Sequence, residues 1–372
     1  MNQLRATPDR GQEHTMPTQP APPPLPPAVL SPPVFRSFHD AYAAVLHDLV
    51  THPQHHIDTR GNAGPERLNV SFQITDPAAR VALLASRKTN VVFNLAEALW
   101  FLGGRDDLAM MRYYAPRMAA YSPDGLTIAG AAYGTRLFRA GGQPDAQSPF
   151  DATLDLIRSD PDTKRAVLPI FTAAEVGDGR HPDVSCTLAF QFLCRDGALH
   201  AVGYLRANDA FQGLVSDVFS FTFIQELAAR LLGLKLGTYT HHVGSMHVAS
   251  AKLPKVRAIV AEAANPAPAL PMPCMPAETT MDAVEEIRAH EQRLRANLAR
   301  HTAQSLERTG LPAYWQGLLG LLEIYRQIAH EPDARPVDPG ILAVLQPAHR
   351  WLVQKKWPAR IPAADSHEAR PT

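Results

Sequence analysis

Cysteine is scarce in this sequence, and its spacing excludes several classes of protein. The three cysteines, Cys186, Cys194 and Cys274, are an odd number and show no Cys-x-x-Cys or Cys/His ligand spacing. A disulfide framework and a zinc site both require such patterns. We therefore predict a protein with no bound metal, in a reducing and cytoplasmic location.

Net charge and long apolar runs are also absent. The chain has 36 Lys and Arg residues against 36 Asp and Glu residues, so its formal net charge is zero. No apolar run approaches the roughly 18 residues of a membrane helix, and the N-terminus lacks the order of a secretory signal. We expect neither nucleic acid nor a membrane as a partner.

Proline, in contrast, is abundant, with 34 residues in the chain, and its clusters suggest the domain boundaries. Proline at high density cannot form helices or interior strands. Strand and helix patterns elsewhere mix without strict alternation, which predicts an α+β fold. The predicted segments are a disordered Pro-rich tail at 1–34, a catalytic domain at 35–262, a Pro-rich linker at 263–276, a helical appendage at 277–358 and a flexible tail at 359–372.

Several local signals predict individual elements. Asp196-Gly197 is a strong hairpin signal between two strands. A long apolar helix is predicted to end at Gly233, where glycine can adopt the left-handed conformation. In the appendage, apolar periodicity predicts helices over 281–302, 315–328 and 341–353.

One stretch places a thiol, an arginine and two carboxylates in a fixed order. Cys186 is followed five residues later by Gln191-Phe, then by Arg206-x2-Asp209 and by Asp217 after Gly213-Leu-Val-Ser. A thiolate can add to C6 of a pyrimidine and so make C5 nucleophilic, provided a cationic neighbour such as Arg206 lowers the thiol pKa. A lone cysteine would otherwise be interpreted as a buried core thiol.

This order resembles the thymidylate synthase and pyrimidine nucleotide hydroxymethylase superfamily. The resemblance implies the thymidylate synthase fold, a mixed and mostly antiparallel sheet with flanking helices. It implies attack on C6 by Cys186, and proton transfer and water organisation by Glu97 in Asn94-Leu-Ala-Glu-Ala-Leu-Trp. Tyr133 is implied to lie beside the thiol, and Asp209 to order the folate and nearby water. A helix-surface role is the alternative for Glu97.

The family also implies a phosphate site shared between two subunits. Arg206 and Arg60 match the family's phosphate-binding arginines, and Lys164-Arg165 matches a pair that reaches the neighbouring subunit's nucleotide. The resemblance therefore implies a homodimer with shared active sites. A solvated helix end is the alternative for Lys164-Arg165.

Departures from the family pattern suggest the substrate. Asp217 stands where uracil-specific members have asparagine, and a carboxyl group complements the N4 amino group and N3 of cytosine. We assign Asp217 and Gln191 to the base; a helix N-cap is the alternative for Asp217. At the sugar, His247 is retained, but Ala207 and Ala249 replace a serine and a tyrosine. The two smaller side chains favour a ribonucleotide.

The predicted activity is 5-hydroxymethylation of a cytidylate, CMP or dCMP, with 5,10-methylenetetrahydrofolate as the one-carbon donor. The pattern is most similar to that of the ribonucleotide-specific cytidylate hydroxymethylases. The alternatives are methylation of dUMP or UMP, as in a true synthase, and a non-catalytic homologue that binds a nucleotide or RNA.

Overall fold

A computed structural model describes residues 31–59, 62–139, 146–177, 181 and 183–362. The predicted phosphate ligand Arg60 lies outside these residues. So do most of the Pro-rich segment 1–34 and most of the tail 359–372.

Seven strands form one mixed sheet in the described part of the chain. They are β1 Val34–Phe35, β2 His55–Thr59, β3 Asn62–Ile74, β4 Val167–Pro169, β5 Thr187–Arg195, β6 Ala198–Asp209 and β7 Lys235–His247. Their order is β1-β3-β7-β6-β5-β4, with β2 paired to β3. The β1–β3 and β6–β7 pairs are parallel and the others antiparallel. This confirms the predicted mixed, mostly antiparallel sheet.

Helices flank the sheet and continue to the C-terminal side of the described chain. They are α1 Phe38–Thr51, α2 Val91–Leu102, α3 Leu108–Tyr114, α4 Tyr133–Leu137, α5 Pro149–Ser159, α6 Leu214–Leu231, α7 Leu253–Ala263, α8 Met281–Arg295, α9 Ala303–Glu307, α10 Ala313–His330, α11 Pro339–Val344 and α12 Pro347–Lys356. In the described ranges, no helix combines the length and apolarity that spanning a bilayer would require.

Helix α6 is the centre of the core. Its residues are apolar on nearly all sides and almost all buried, as expected for a helix enclosed by protein. It packs on β6, on β7 and on α2. Gly233 follows it with a φ of +66°, which confirms the predicted helix end. The β5–β6 hairpin turn is also confirmed, because Asp196 and Gly197 have φ values of +51° and +72°.

Two predicted helices in the C-terminal region have different bounds from those expected. Helix α8 ends at Arg295 rather than near residue 302, because the chain turns at Asn297, which has a φ of +55°. The helix predicted over 341–353 is two helices, α11 and α12. Gln346 between them is extended, with a ψ of 144°, because the residue before Pro347 disfavours the helical conformation.

The C-terminal helices pack against the helices around the predicted catalytic glutamate. Helices α10 and α12 both contact α2. The Tyr325 hydroxyl of α10 donates a hydrogen bond to the Tyr113 carbonyl at 2.9 Å. The Tyr114 hydroxyl of α3 donates to Glu291 Oε1 of α8 at 3.0 Å. The C-terminal helices therefore contact both α2 and α3. The chain from Pro33 onwards forms one compact unit.

Candidate active site

Cys186 lies at the start of β5, on a segment held by an aspartate. The Asp183 carboxylate accepts hydrogen bonds from the backbone N–H groups of Gly130 at 2.7 Å and Ala131 at 3.0 Å. A Cβ at position 130 would lie 2.5 Å from the Asp183 carbonyl oxygen, so this close approach requires glycine. The contact ties the cysteine segment to the start of α4, where Tyr133 lies.

Arg206 is the cation nearest the thiol. Its Nη2 lies 3.8 Å from Cys186 Sγ, and its guanidinium also donates to the carbonyls of Ser185 at 2.8 Å and Val184 at 3.0 Å. Burial raises the pKa of Cys186 to about 11, while Arg206 acts to lower it. The expected direction of the Arg206 effect is confirmed, but burial outweighs it. The thiol is therefore protonated at neutral pH in this state.

Glu97 lies on the face of α2 that meets α6. Its Oε2 is buried and has no hydrogen-bond partner among the described residues. Burial, reinforced by the Asp217 carboxylate, raises the pKa of Glu97 to about 8. One turn earlier on α2, Asn94 accepts a hydrogen bond from the Ser216 hydroxyl at 3.1 Å. Glu97 thus holds a proton at neutral pH, as a general acid requires.

Asp217 lies in the first turn of α6, but it does not cap that helix. The N-cap position belongs to Gly213, so the alternative of a simple N-cap for Asp217 is wrong. Burial raises the pKa of Asp217 to about 7, and a hydrogen bond from Asn208 Nδ2 to its Oδ2, at 2.6 Å, acts in the opposite direction. A carboxyl group with this pKa can either accept or donate near neutral pH.

Tyr133 and Asp209 complete the group around the thiol. Tyr133 is buried between the rings of Phe101 and Phe221, with centroids 5.3 and 6.0 Å away. Burial raises its pKa well above the ordinary range, so it stays a phenol. Asp209 Oδ1 accepts from the backbone N–H groups that follow it, at 2.8 and 2.7 Å, which fixes the turn into α6.

The structure brings together five of the predicted residues closely enough for their charges to interact. The charges of Asp217 and Asp209 both act to raise the Cys186 pKa, and Glu97 and Asp217 both act on Tyr133. Three carboxyl groups, a thiol and a phenol therefore line one partly buried region between α2, α6 and β5.

Gln191 does not belong to this group. On β5 it alternates with Phe190 and Phe192, which face the core, so its side chain faces the other side of the sheet. Its amide is also engaged, because Nε2 donates to the Lys164 carbonyl at 3.0 Å and Oε1 accepts from the Tyr204 hydroxyl at 3.1 Å. The predicted contact of Gln191 with the base is wrong for the site that contains Cys186 of the same chain.

The remaining residues predicted to contact the phosphate and the sugar lie on the segment between α5 and β4, on β6, and at or just after the end of β7. Lys164 and Arg165 are exposed on the segment between α5 and β4, and neither side chain has a polar partner in the described part of the chain. Ala207 is partly buried on β6 beside Arg206, and Ala249 follows β7. His247, at the end of β7, pairs with Asp209 in the sheet, and its Nδ1 is buried without a described partner.

A cationic rim near Asp209 fits an anionic cofactor and was not anticipated from the sequence. Arg87 lies over the Phe211 ring at 4.4 Å and donates to the Phe211 carbonyl. Burial and the charges of four cations lower the pKa of Lys356 on α12. These cations are Arg87, Arg117, Lys88 and Lys255. A ligand that bears carboxylates would relieve the mutual repulsion of these cations. The sequence did not reveal the rim because only Arg87 and Lys88 are neighbours along the chain.

Asn208 was also missed, because the pattern Arg206-x2-Asp209 does not specify the residue type at that position. Its place next to Asp209 was the available signal, but its burial and its contact with Asp217 became visible only in the fold. In the described residues, no group of three or more His, Cys, Asp or Glu side chains is placed to hold a metal ion.

Comparisons with known proteins agree with this arrangement. A family model described as thymidylate synthase matches residues 40–296. The deoxyuridylate hydroxymethyltransferase of Bacillus phage SP01 is 33% identical over 198 residues, which cover 51% of this chain and 51% of that protein. The protein of the same name from Pseudomonas phage M6 is 34% identical over 194 residues, 51% of this chain and 53% of that one. The chain spans about half the length of the curated relatives it matches.

Proposed function

The chain belongs to the thymidylate synthase family, and we propose that it transfers a one-carbon group to C5 of a pyrimidine nucleoside monophosphate. We propose further that the nucleotide is a cytidylate, CMP before dCMP, and that the product carries a 5-hydroxymethyl group. The single observation that carries this proposal is the partly buried Asp217 carboxyl group close to Cys186 and Glu97.

The thiol begins the reaction. Cys186 Sγ forms a bond to C6, and the electron pair of the C5–C6 double bond moves to C5, which becomes nucleophilic. Arg206, 3.8 Å from Sγ, stabilises the thiolate as its proton leaves. This assistance is needed because burial holds the Cys186 pKa near 11.

The donor, 5,10-methylenetetrahydrofolate, supplies a carbon at the oxidation level of formaldehyde. Asp209 and the rim formed by Arg87, Lys88, Arg117, Lys255 and Lys356 are the residues that would hold it, the cations matching its carboxylates. Glu97 holds a proton at neutral pH, and its unpartnered Oε2 can position the water that adds to the new carbon. C5 would form a bond to this carbon, and loss of the C5 proton with release of tetrahydrofolate would leave an exocyclic methylene group on the nucleotide. Addition of the water to that group, followed by departure of the Cys186 thiolate from C6, would then restore the C5–C6 double bond.

The base assignment follows from hydrogen-bond chemistry at Asp217. Cytosine presents a donor at N4 and an acceptor at N3, so a carboxyl group that carries one proton satisfies both. Its pKa of about 7 means that this proton is available near neutral pH. Uracil presents an acceptor at O4 and a donor at N3, which reverses the pattern and leaves a mismatch that polar sites penalise.

Phosphate binding is proposed to use both subunits of a homodimer. Arg206 is exposed on one side and can reach a phosphate beside the thiol. Lys164 and Arg165 are exposed and without described polar partners, as expected of side chains that serve a neighbouring subunit. Arg60 is proposed for the same phosphate from the family pattern alone. At the sugar, Ala207 and Ala249 leave room for a 2′-hydroxyl group near His247.

A second candidate is hydroxymethylation of a deoxyuridylate. It is favoured by the names of the relatives, which are called deoxyuridylate hydroxymethyltransferases. The two candidates share every step at Cys186 and Glu97 and differ in the base read by Asp217.

Incubation of the purified chain with 5,10-methylenetetrahydrofolate and CMP, dCMP, UMP or dUMP separates these candidates. Mass spectrometry of the nucleotide should show addition of CH₂O to CMP, and Cys186→Ser should reduce the rate by roughly 10³-fold or more. Addition of CH₂O to dUMP alone would establish the second candidate. A methyl group on the product, with dihydrofolate appearing, would contradict hydroxymethylation altogether.

The shared site has its own test. A Cys186→Ser subunit and a Lys164→Ala/Arg165→Ala subunit should each be inactive alone. If sites are shared, mixed dimers regain activity, because one of their two sites has both an intact thiol and intact partner cations. A mixture that stays inactive, although mixed dimers are shown to form, would overturn the assignment of Lys164 and Arg165.

A further inference from the structure

Asn208 has an unusual hydrogen-bonding environment. It is the penultimate residue of β6 and is 2% exposed. Its Nδ2 donates to Asp217 Oδ2 at 2.6 Å, while its own Oδ1 is buried without a partner among the described residues. A buried amide normally satisfies both ends, so an amide that leaves its acceptor end unpaired points to a specific use for its donor end.

Gly213 closes the space beside this contact. A Cβ at position 213 would lie 3.3 Å from Asp217 Oδ2 and 3.5 Å from Asn208 Nδ2. The backbone of the β6–α6 turn thus comes against the hydrogen-bonded pair and leaves Oδ2 little freedom to turn away. The other oxygen, Asp217 Oδ1, has no described hydrogen bond and is left for a ligand.

An amide N–H can donate but cannot accept, which has a consequence for the proton on Asp217. Oδ2 receives the Asn208 hydrogen bond and therefore stays an acceptor, so a proton on the carboxyl group resides on Oδ1. We propose that Asn208 is a positioning residue that fixes the donor and acceptor ends of Asp217 and thereby determines which base the site accepts.

Because the donor and acceptor oxygens of Asp217 cannot exchange, the site can match the hydrogen-bonding edge of only one of the two bases. With Oδ2 accepting from the N4 amino group and Oδ1–H donating to N3, cytosine fits, and uracil would require the two ends to exchange. This inference rests on the proposed function for the direction of the preference, but not for its existence. A site of the same design that presented its ends the other way would select uracil and would depend on Asn208 equally.

Nucleotide binding tests the inference without the folate donor. Isothermal titration calorimetry with CMP and UMP gives the ratio of their dissociation constants for the wild-type chain and for Asn208→Ala. We expect the variant to bring that ratio towards one by up to about tenfold, the worth of a hydrogen bond to a neutral carboxyl group. Asn208→Ser keeps a donor and should retain more of the preference.

A matched control comes from α6, the helix that carries Asp217. Gln225 of α6 is a buried amide whose Nε2 donates to the carbonyls of Leu199, Gly237 and Thr238, away from Asp217. Gln225→Ala should lose stability but keep the CMP to UMP ratio. If Asn208→Ala also leaves the ratio within twofold of wild type, the inference is overturned.

The outcomes separate this inference from the base assignment. A wild-type chain that prefers UMP, with the preference weakened in Asn208→Ala, would overturn the cytidylate assignment and support the inference. A wild-type preference for CMP that survives in Asn208→Ala and is lost in Asp217→Asn would do the reverse.

The pH dependence of CMP binding is a readout that loss of packing alone would not move. CMP binding needs the proton on Asp217, so affinity should fall as the pH rises through its pKa, which is about 7. Removal of the Asn208 donor raises that pKa and should move the fall to higher pH. The titratable groups that face Asp217 from the other elements, and that remain in the variant, are Glu97, Tyr133, Cys186 and Tyr239. An unmoved midpoint would contradict the inference.

Discussion

Two carboxyl groups on helix α6 show how this fold separates support from chemistry. Glu226 is fully buried and bonds to the Arg80 guanidinium, with Arg230 at 3.6 Å and the Met275 backbone N–H donating at 2.7 Å. Asp217, near the start of the same helix, has one neutral donor, Asn208.

The two carboxyl groups differ in the ion pairs and hydrogen bonds that offset the cost of burying them. A buried charge is tolerated when it is paired and hydrogen-bonded, as Glu226 is. Neither Asp217 nor Glu97 forms an ion pair within the described residues. The Asn208 hydrogen bond and the Arg117 charge only partly offset their burial, and the pKa of each is raised, to about 7 and about 8. The buried charge at the Glu226 end of α6 is therefore neutralised by its partners. The end near Cys186 instead keeps carboxyl groups that can exchange protons with a ligand.

The largest expected effect is on catalysis, at Glu97. Glu97→Gln removes the ionisable proton, which a general acid must donate, while keeping the shape of the side chain. Turnover of the accepted nucleotide should fall by roughly 10²- to 10⁴-fold, and nucleotide binding should change little. The free energy of unfolding should stay the same or rise, because an amide is less costly to bury than a carboxyl group that ionises. Steady-state kinetics and urea unfolding measure the two quantities, and a large loss of stability would contradict a functional role.

The next effect is on stability, at the other end of the helix. Glu226→Gln leaves the buried Arg80 guanidinium without its counter-charge, and we expect the free energy of unfolding to fall by about 3 kcal/mol. The ratio of CMP to UMP affinities should not change, because Glu226 is not part of the site. The double variant Arg80→Met/Glu226→Met removes both charges and should recover much of the loss. If it does not, the pair stabilises the fold by something other than charge compensation.

The sequence predicted the supporting fold and the site with different success, for physical reasons. Cys186, Arg206 and Asp217 were predicted because their order along the chain resembles that of the thymidylate synthase family, and the charges of Arg206 and Asp217 both act on Cys186 in the folded chain. Burial could not be assigned in the same way. The Cys186 pKa is raised by burial and by carboxylates from three separate segments, namely Asp183 before β5, Asp209 on β6 and Asp217 on α6.

Contacts between distant segments account for the remaining differences. Lys356 joins Arg87 and Lys88 only because α12 packs on α2 and the turn before it. Gln191 was assigned to the base by its interval from Cys186, but strand alternation turns it to the other face of the sheet. The single helix predicted over 341–353 was wrong for a different reason, because the sequence itself carries the signal for the break at Pro347: the residue before proline is disfavoured in a helix.

The smallest effect distinguishes the two carboxyl environments through the pH dependence of stability. Glu97 has a pKa of about 8 in the folded chain against an ordinary value of 4.5. Below about pH 4.5 the folded and the unfolded chain both hold the Glu97 proton, and the contribution of Glu97 to stability is fully present. Between that pH and 8 the unfolded chain has lost the proton while the folded chain still holds it, so the free energy of unfolding falls as the pH rises. From pH 5 to pH 7 we expect a loss of about 2.5 kcal/mol from this group, measured by urea unfolding. Glu97→Gln should flatten that slope, whereas Glu226→Gln should lower the whole curve and leave the slope unchanged. Equal slopes in Glu97→Gln and the wild type would show that Glu97 is solvated like an ordinary surface carboxyl group, and the contrast between the two ends of α6 would then rest on Asp217 alone.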